Sequence, residues 1–138
     1  MRHAIWSLIA TASLLASIEP AAAQTSYPML MALKPSAVQV GQTAELELES
    51  RYSMFGAYQV LISGTGVTGE IATPMEPGAD GKTPDLTKIK LRITAAADAA
   101  PGVRDFRIAG PTGPSTVGKL VVVSDPVIIE AENNDTPA

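Results

Sequence analysis

Cysteine is absent from all 138 residues, and histidine and tryptophan occur once each, as His3 and Trp6. Beyond residue 23 the chain therefore offers no thiol, no imidazole and no indole. A Ser-His-Asp or Cys-His site needs an imidazole to take the nucleophile's proton, so neither can be built. A typical zinc site needs Cys or His ligands and fails for the same reason. No disulfide can staple the fold, and no cysteine can carry a lipid anchor. Aromatic residues make up only 4% of the chain. After residue 23 they are Tyr27, Tyr52, Phe55, Tyr58 and Phe106, too few for an obvious sugar-stacking platform. The basic residues are scattered and the net charge is −4. That argues against a nucleic-acid partner, which needs a basic patch to displace counterions. No amphipathic basic stretch suggests a membrane-surface helix. Paired-carboxylate chemistry is the catalytic class left over. Yet the acidic residues are spread along the chain, and Asp98 and Asp105 do not stand in an Asp-Thr-Gly setting. The chain is expected not to be an enzyme and to hold no resident cofactor.

The first 23 residues have an ordered layout. Arg2 and His3 give a short basic start, and Ala4 to Ile18 carries no charge. Ile5, Leu8, Ile9, Leu14, Leu15 and Ile18 make that run apolar. Glu19-Pro20 interrupts it, and Ala21-Ala22-Ala23 places small residues at the −3 and −1 positions before Gln24. This is the pattern of a secretory signal peptide over residues 1–23. The uncharged run falls short of the roughly 20 apolar residues of a membrane span; an uncleaved anchor helix is the alternative. Cleavage of 23 residues from 138 leaves 115, enough for one domain. Arg2 and Glu19 leave together, so the charge balance is unchanged. The expected location is secreted, periplasmic or cell-surface, with no membrane attachment after cleavage.

The remaining chain reads as short strands separated by turn residues. Met29 to Leu33 is a first apolar run closed by Lys34-Pro35, and Val38 and Val40 lead into a turn at Gly41-Gln42. In Thr43 to Glu49, Ala44, Leu46 and Leu48 fall on one face and Glu45, Glu47 and Glu49 on the other, the mark of a half-buried strand. Ala57 to Ser63 is a further strand, with a short one near Val67 to Ile71. Pro74, Pro77, Gly78, Gly81 and Pro84 make Thr73 to Asp85 a surface loop. Lys88 to Ile93 alternates as strictly as Thr43 to Glu49, with cations outside. Ala95 to Ala100 allows a helical turn, ended by Pro101-Gly102. Val103 to Ile108 follows, with Phe106 and Ile108 on one face, then a tight turn at Pro111 to Pro114. Lys119 to Val123 carries branched residues on both faces, as a central strand does.

Glu45, Glu47 and Glu49 match Lys88, Lys90 and Arg92 in sign and spacing. Opposite charges facing one another across a ladder favour pairing. In an immunoglobulin-like antiparallel β-sandwich of about seven strands the second and fifth strands are neighbours. The two strands are thus expected to pair, with the charges on the outer face. The three glutamates lie along a flat face and do not converge on a metal or sugar.

Several stretches in order resemble the N-terminal immunoglobulin-like module of bacterial secreted proteins that carry pre-peptidase C-terminal domains. They are Tyr27-Pro28-Met29-Leu30-Met31-Ala32-Leu33-Lys34-Pro35 with Val38-Gln39-Val40-Gly41-Gln42-Thr43, then Arg51 to Tyr58, then Ala99 to Ala109 around Pro101-Gly102. The resemblance covers essentially the whole chain after the signal; some proteins of that architecture are subtilase-family peptidases. It divides the chain into a signal at 1–23, a sandwich at 24–125 and an acidic linker at 126–138. Asp125 to Ala138 resembles the lead-in to a pre-peptidase domain whose body does not follow. In collagenase-type relatives such a segment binds calcium, which implies Glu130, Glu132, Asn134 and Asp135 as partial ligands here. Ca²⁺ takes 6–8 oxygens, so the rest would come from a longer parent protein.

The expected function is a non-catalytic spacer or interaction module, a monomer, meeting a protein or the adjacent domains of a parent chain. The alternative is a calcium- or carbohydrate-binding module of a secreted hydrolase. Thr73 to Asp85 and Gly64 to Gly69 are the segments expected to make contacts.

Overall fold

The computed structural model describes residues 27–128. The signal segment lies outside them, as does the tail from Ile129 onward. Within them the chain is all-β, with nine strands and no helix. In order they are β1 (Leu30–Lys34), β2 (Ala37–Gln39), β3 (Thr43–Ser50), β4 (Gln59–Ile62), β5 (Val67–Ile71), β6 (Lys88–Ala95), β7 (Gly102–Gly110), β8 (Gly113–Pro114) and β9 (Gly118–Val123).

They form two sheets. One has the order β1-β3-β6-β5; the other runs β2-β9-β7-β4, with β8 hydrogen-bonded to β7. Those sets match the two sheets of a constant-type immunoglobulin sandwich. The seven strands expected become nine for two reasons. The first strand is divided at Pro35-Ser36, its first half antiparallel to β3 and its second parallel to β9. β8 is a two-residue addition.

The predicted pairing of the two alternating strands is present. β3 and β6 run antiparallel, with Glu45 opposite Arg92, Glu47 opposite Lys90 and Glu49 opposite Lys88. Lys90 donates to Glu45 at 2.8 Å, and Lys88 lies 3.9 Å from both Glu47 and Glu49. The close ion pair is thus diagonal, one step off the register. Outer strands extend the pattern: Lys34 of β1 is opposite Glu47, and Glu70 of β5 is opposite Arg92. Beneath the charges, Leu46, Leu48, Ile89, Leu91 and Ile93 are buried against Val38, Val60, Phe106, Ile108, Leu120 and Val122 of the second sheet. Burying each such side chain contributes about 1.5–3 kcal/mol, whereas exposed ion pairs contribute little. The core therefore supplies the stability, and the charges decide which face is outside.

Two glycines set how closely elements approach. Gly118 lies opposite Phe106, and a Cβ there would overlap the ring. Gly69 lies on the inner face of β5, where a Cβ would meet Ile93 at 2.8 Å and Val60 at 2.9 Å. The segment Gly64 to Gly69, expected to make surface contacts, is exposed mainly in its first half, and the short strand expected near Val67 to Ile71 is present as β5. Val67 is buried. Ala95 to Ala100 is not helical. Ala95 ends β6 inside the core, and a turn closed by Ala99 N–H to Ala96 C=O at 3.0 Å follows. Alanine's helix preference is a weak local term that core packing overrides.

Two outcomes test this account. Gly118→Ala should destabilise the protein by about 1–3 kcal/mol, because the buried Phe106 ring has no room to yield; a urea midpoint unchanged from wild type would refute it. The hydrogen bond and charge of Lys90 hold the Glu45 carboxyl below its ordinary 4.5, and Glu45 raises Lys90 above its ordinary 10.5. A lowered acid stabilises above its ordinary value and loses that contribution as pH falls through the folded one; a raised base loses its contribution as pH rises through its folded value. The stability gap between wild type and Glu45→Gln should therefore be widest between pH 4.5 and 10.5 and close at either end. It should also shrink in about 1 M salt, where screening reaches a few ångströms.

Candidate functional site

The strand directions sort the connections into two ends. One end gathers the approach to β1, the β3–β4 connection (residues 51–58), the β5–β6 connection (residues 72–87) and the β7–β8 turn. We call it the loop pole. The opposite end holds the tight turns after β2, β4 and β6 and the end of β9.

The loop pole is stitched by side chains and backbone together. Met54 is buried in the core and anchors residues 51–58. Its N–H donates to Leu86 C=O at 2.8 Å, and Leu86 N–H donates to the Ser53 hydroxyl at 3.0 Å. The Ser50 hydroxyl donates to Tyr52 C=O at 2.8 Å. The incoming chain is clamped on both sides: Arg51 N–H donates to Met29 C=O at 2.9 Å, and Thr116 N–H to Pro28 C=O at 3.0 Å. Ser115 is wholly buried and satisfied; its hydroxyl accepts from Ile108 N–H at 2.9 Å and donates to Thr116 C=O at 2.8 Å.

These contacts frame an open concavity of about 410 Å³. Its walls are mainly Pro28, Tyr52, Phe55, Ile108 and Pro111, with Ser53, Thr83 and Thr112 supplying hydroxyls. Among the described residues no acid, lysine or arginine lines it. The Arg51 guanidinium lies 5.7 Å from the Tyr52 ring centroid, within cation–π range, and fixes the outer side of that ring. Thr112 is shared with a second open groove of about 530 Å³ that includes Tyr27 and Arg107. Tyr58 follows on the surface, 70% exposed, just before β4. Four of the five aromatic residues beyond residue 23 thus surround one end, while Phe106 belongs to the core.

Gly56 makes this shape possible. Its φ is +76°, and a Cβ there would stand 2.8 Å from the Pro111 ring. The β3–β4 and β7–β8 connections can touch only because that side chain is missing.

The segments singled out from sequence divide between the two ends. Thr73 to Asp85 lies at the loop pole, mostly exposed, and gives Thr83 to the concavity. Gly64 to Gly66 turns at the opposite end, so the two do not share a site. There the Arg104 side chain packs against Gly64; its Nη2 donates to Ala100 C=O at 2.6 Å, and its Nε is buried without a partner among the described residues. Glu130, Glu132, Asn134 and Asp135 lie outside the described residues. Among the described residues no group of three or more acidic or histidine side chains is placed to hold a metal ion.

The concavity itself was not read from the sequence. The signal was there: Tyr52, Met54, Phe55 and Tyr58 are large apolar or aromatic residues in a stretch without strand alternation. What the sequence could not give is that Pro28, Thr83 and Pro111 close around them.

No family model and no curated protein matches the chain. Four solved chains match. One is domains 5–6 of the S-layer protein SbsC, 17% identical, with a TM-score of 0.43 over 73% of this chain and 48% of that one. The chain spans about half of that two-domain structure. A likeness at that level carries no argument for function.

Replacing Gly56 isolates the contact that shapes the pole. Gly81 also has positive φ, at +74°, but has open space around it. Gly56→Ala should cost more than Gly81→Ala, which carries the backbone term of about 1–2 kcal/mol alone. Equal denaturation midpoints for the two variants would show that the Pro111 contact is unimportant.

Proposed function

We propose that this chain is a non-catalytic extracytoplasmic immunoglobulin-like interaction module that engages its partner at the loop pole. The support is the concavity of about 410 Å³ with aromatic and proline walls and no charged lining. Pockets of that character suit apolar or aromatic groups, oriented by a few hydroxyls. They do not suit proton transfer, which needs a titratable group within reach. Aromatic residues at such a contact commonly dominate its binding energy.

The finer form of the reading makes the domain the leading module of a larger secreted protein with pre-peptidase C-terminal domains. Its support is the ordered resemblance from Tyr27 to Thr43, Arg51 to Tyr58 and Ala99 to Ala109, with the acidic segment after Asp125. The half-exposed Tyr52 and Phe55 rings favour one second reading, a carbohydrate module, since such rings stack on sugar C–H faces.

Two measurements test the proposal. Export should yield a product beginning at Gln24, read by mass spectrometry of the extracytoplasmic fraction. That product should bind members of an extended-peptide array. Tyr52→Ala/Phe55→Ala should weaken binding at least about tenfold, or ~1.4 kcal/mol, while the melting temperature stays close to wild type. Binding to a glycan array instead would establish the second reading. No binding to either array, or binding indifferent to the double substitution, would overturn the proposal.

A further inference from the structure

The two sheets expose four edge strands, β1 and β5 on one, β2 and β4 on the other. An exposed edge is a template for another strand unless something blunts it. Three of the four are blunted. β1 breaks register at Met31 and ends at Lys34-Pro35. β2 has three residues, between Pro35-Ser36 and the turn at Val40-Gly41. β5 carries Glu70 beside Gly69. β4, four residues long, has only its shortness. Gln59-Val60-Leu61-Ile62 holds no charge, proline or glycine, and its register with β7 is unbroken. Leu61 is 40% exposed on the outer face, beside an open depression of about 280 Å³.

The hydrogen-bond phase shows which backbone groups face outward. Ser63 N–H donates to Asp105 C=O at 2.8 Å, so Ser63, Leu61 and Gln59 direct their backbone groups toward β7. Val60 and Ile62 then present theirs to the open edge.

We propose that β4 is a self-association edge. Two copies pair antiparallel through it about a two-fold axis at Leu61, joining their β2-β9-β7-β4 sheets into one. Val60 exchanges backbone hydrogen bonds with Ile62 of the partner subunit, and Ile62 with the partner's Val60. The pair at the axis is then the non-bonded kind, with Leu61 facing the partner's Leu61 across about 4.5 Å between Cα atoms. Gln59 meets the partner's Ser63.

A second copy is the occupant because the strand is complementary to itself. Apolar meets apolar, polar meets polar, and no charge occurs in the row, as an isologous two-fold contact requires. The same operation on β5, about Gly69, would set Glu70 one step from the axis and diagonal to its own copy. The antiparallel arrangement directs the two loop poles in opposite directions, so one pair presents both concavities outward. This departs from the monomer expected from sequence and does not depend on what the loop pole binds.

The absence of cysteine provides the test. In the full exported chain, Leu61→Cys places a thiol opposite its own copy at a separation a disulfide can bridge. Val103→Cys, 60% exposed on the same sheet, places one away from the axis. Under mild oxidation Leu61→Cys should form the disulfide dimer at least about tenfold faster, because a standing contact raises the effective thiol concentration to the millimolar range. In sedimentation the wild-type mass should rise with concentration, as should that of Thr68→Lys on the β5 edge. Leu61→Lys, folded by its melting curve, should stay at the monomer mass. A wild type that remains monomeric throughout would overturn the proposal. So would equal crosslinking of the two cysteine variants, or self-association that persists in Leu61→Lys.

Discussion

The fold depends on which side of two strands meets water. From Ala44 to Glu49 in β3 and from Lys88 to Ile93 in β6, every second residue is charged and every other is Leu, Ile or Ala. Turning either strand over would drive three charges into the space now filled by the core, and uncompensated buried charge is far costlier than anything an exposed ion pair returns. This one constraint fixes the inner faces, and the second sheet then packs its Val, Ile, Leu and Phe residues against them. It does not by itself fix the register. A slip of two residues would keep apolar side chains inside and still set glutamates against cations. The register is held at the strand ends instead. Ala95 N–H donates to Gln42 C=O, Ser50 N–H to Thr87 C=O, and the Thr43 and Thr94 hydroxyls meet at 2.9 Å. The uniform middle chooses the face, and the irregular ends choose the alignment.

That division explains what could be read from sequence. The β3–β6 pairing was legible because sign and alternation agree at Glu45, Glu47, Glu49, Lys88, Lys90 and Arg92. The place of β9 was legible from branched residues on both its faces, and it does lie between β2 and β7. Its outward Val121 and Val123 are half-buried. The division of the first strand was not legible, since the spacing of Val38 and Val40 is the same whichever sheet they join. The turn after β6 was misread because four alanines speak for local helix, while the burial of Ala95 and Ala99 is a tertiary fact. The loop-pole concavity was invisible because its walls come from residues 28, 52–57, 83 and 108–112, which nothing in the local pattern associates.

The loop pole and the charged outer face represent two ways of treating exposed surface. On the face, each cation has acids beside it, so the charge is satisfied within the sheet. At the pole, exposed aromatic and proline side chains surround a space that no charged side chain of the described residues lines. A surface that satisfies itself has little to offer a partner, whereas one that leaves apolar groups in water gains by covering them. The loop pole therefore has more to gain from being covered than the charged face has.

The division of β1 from β2 has a mechanical consequence. The described chain enters at the loop pole and leaves β9 at the opposite end. Tension between those points pulls β2 and β9 in opposite directions along their common axis. They are parallel neighbours over Ala37, Val38 and Gln39, with Val121 N–H on Ser36 C=O and Val40 N–H on Val123 C=O closing the patch. Their hydrogen bonds would then be strained together in shear and could not be opened one after another like a zipper. A strand of only three residues thereby becomes an element that resists stretching.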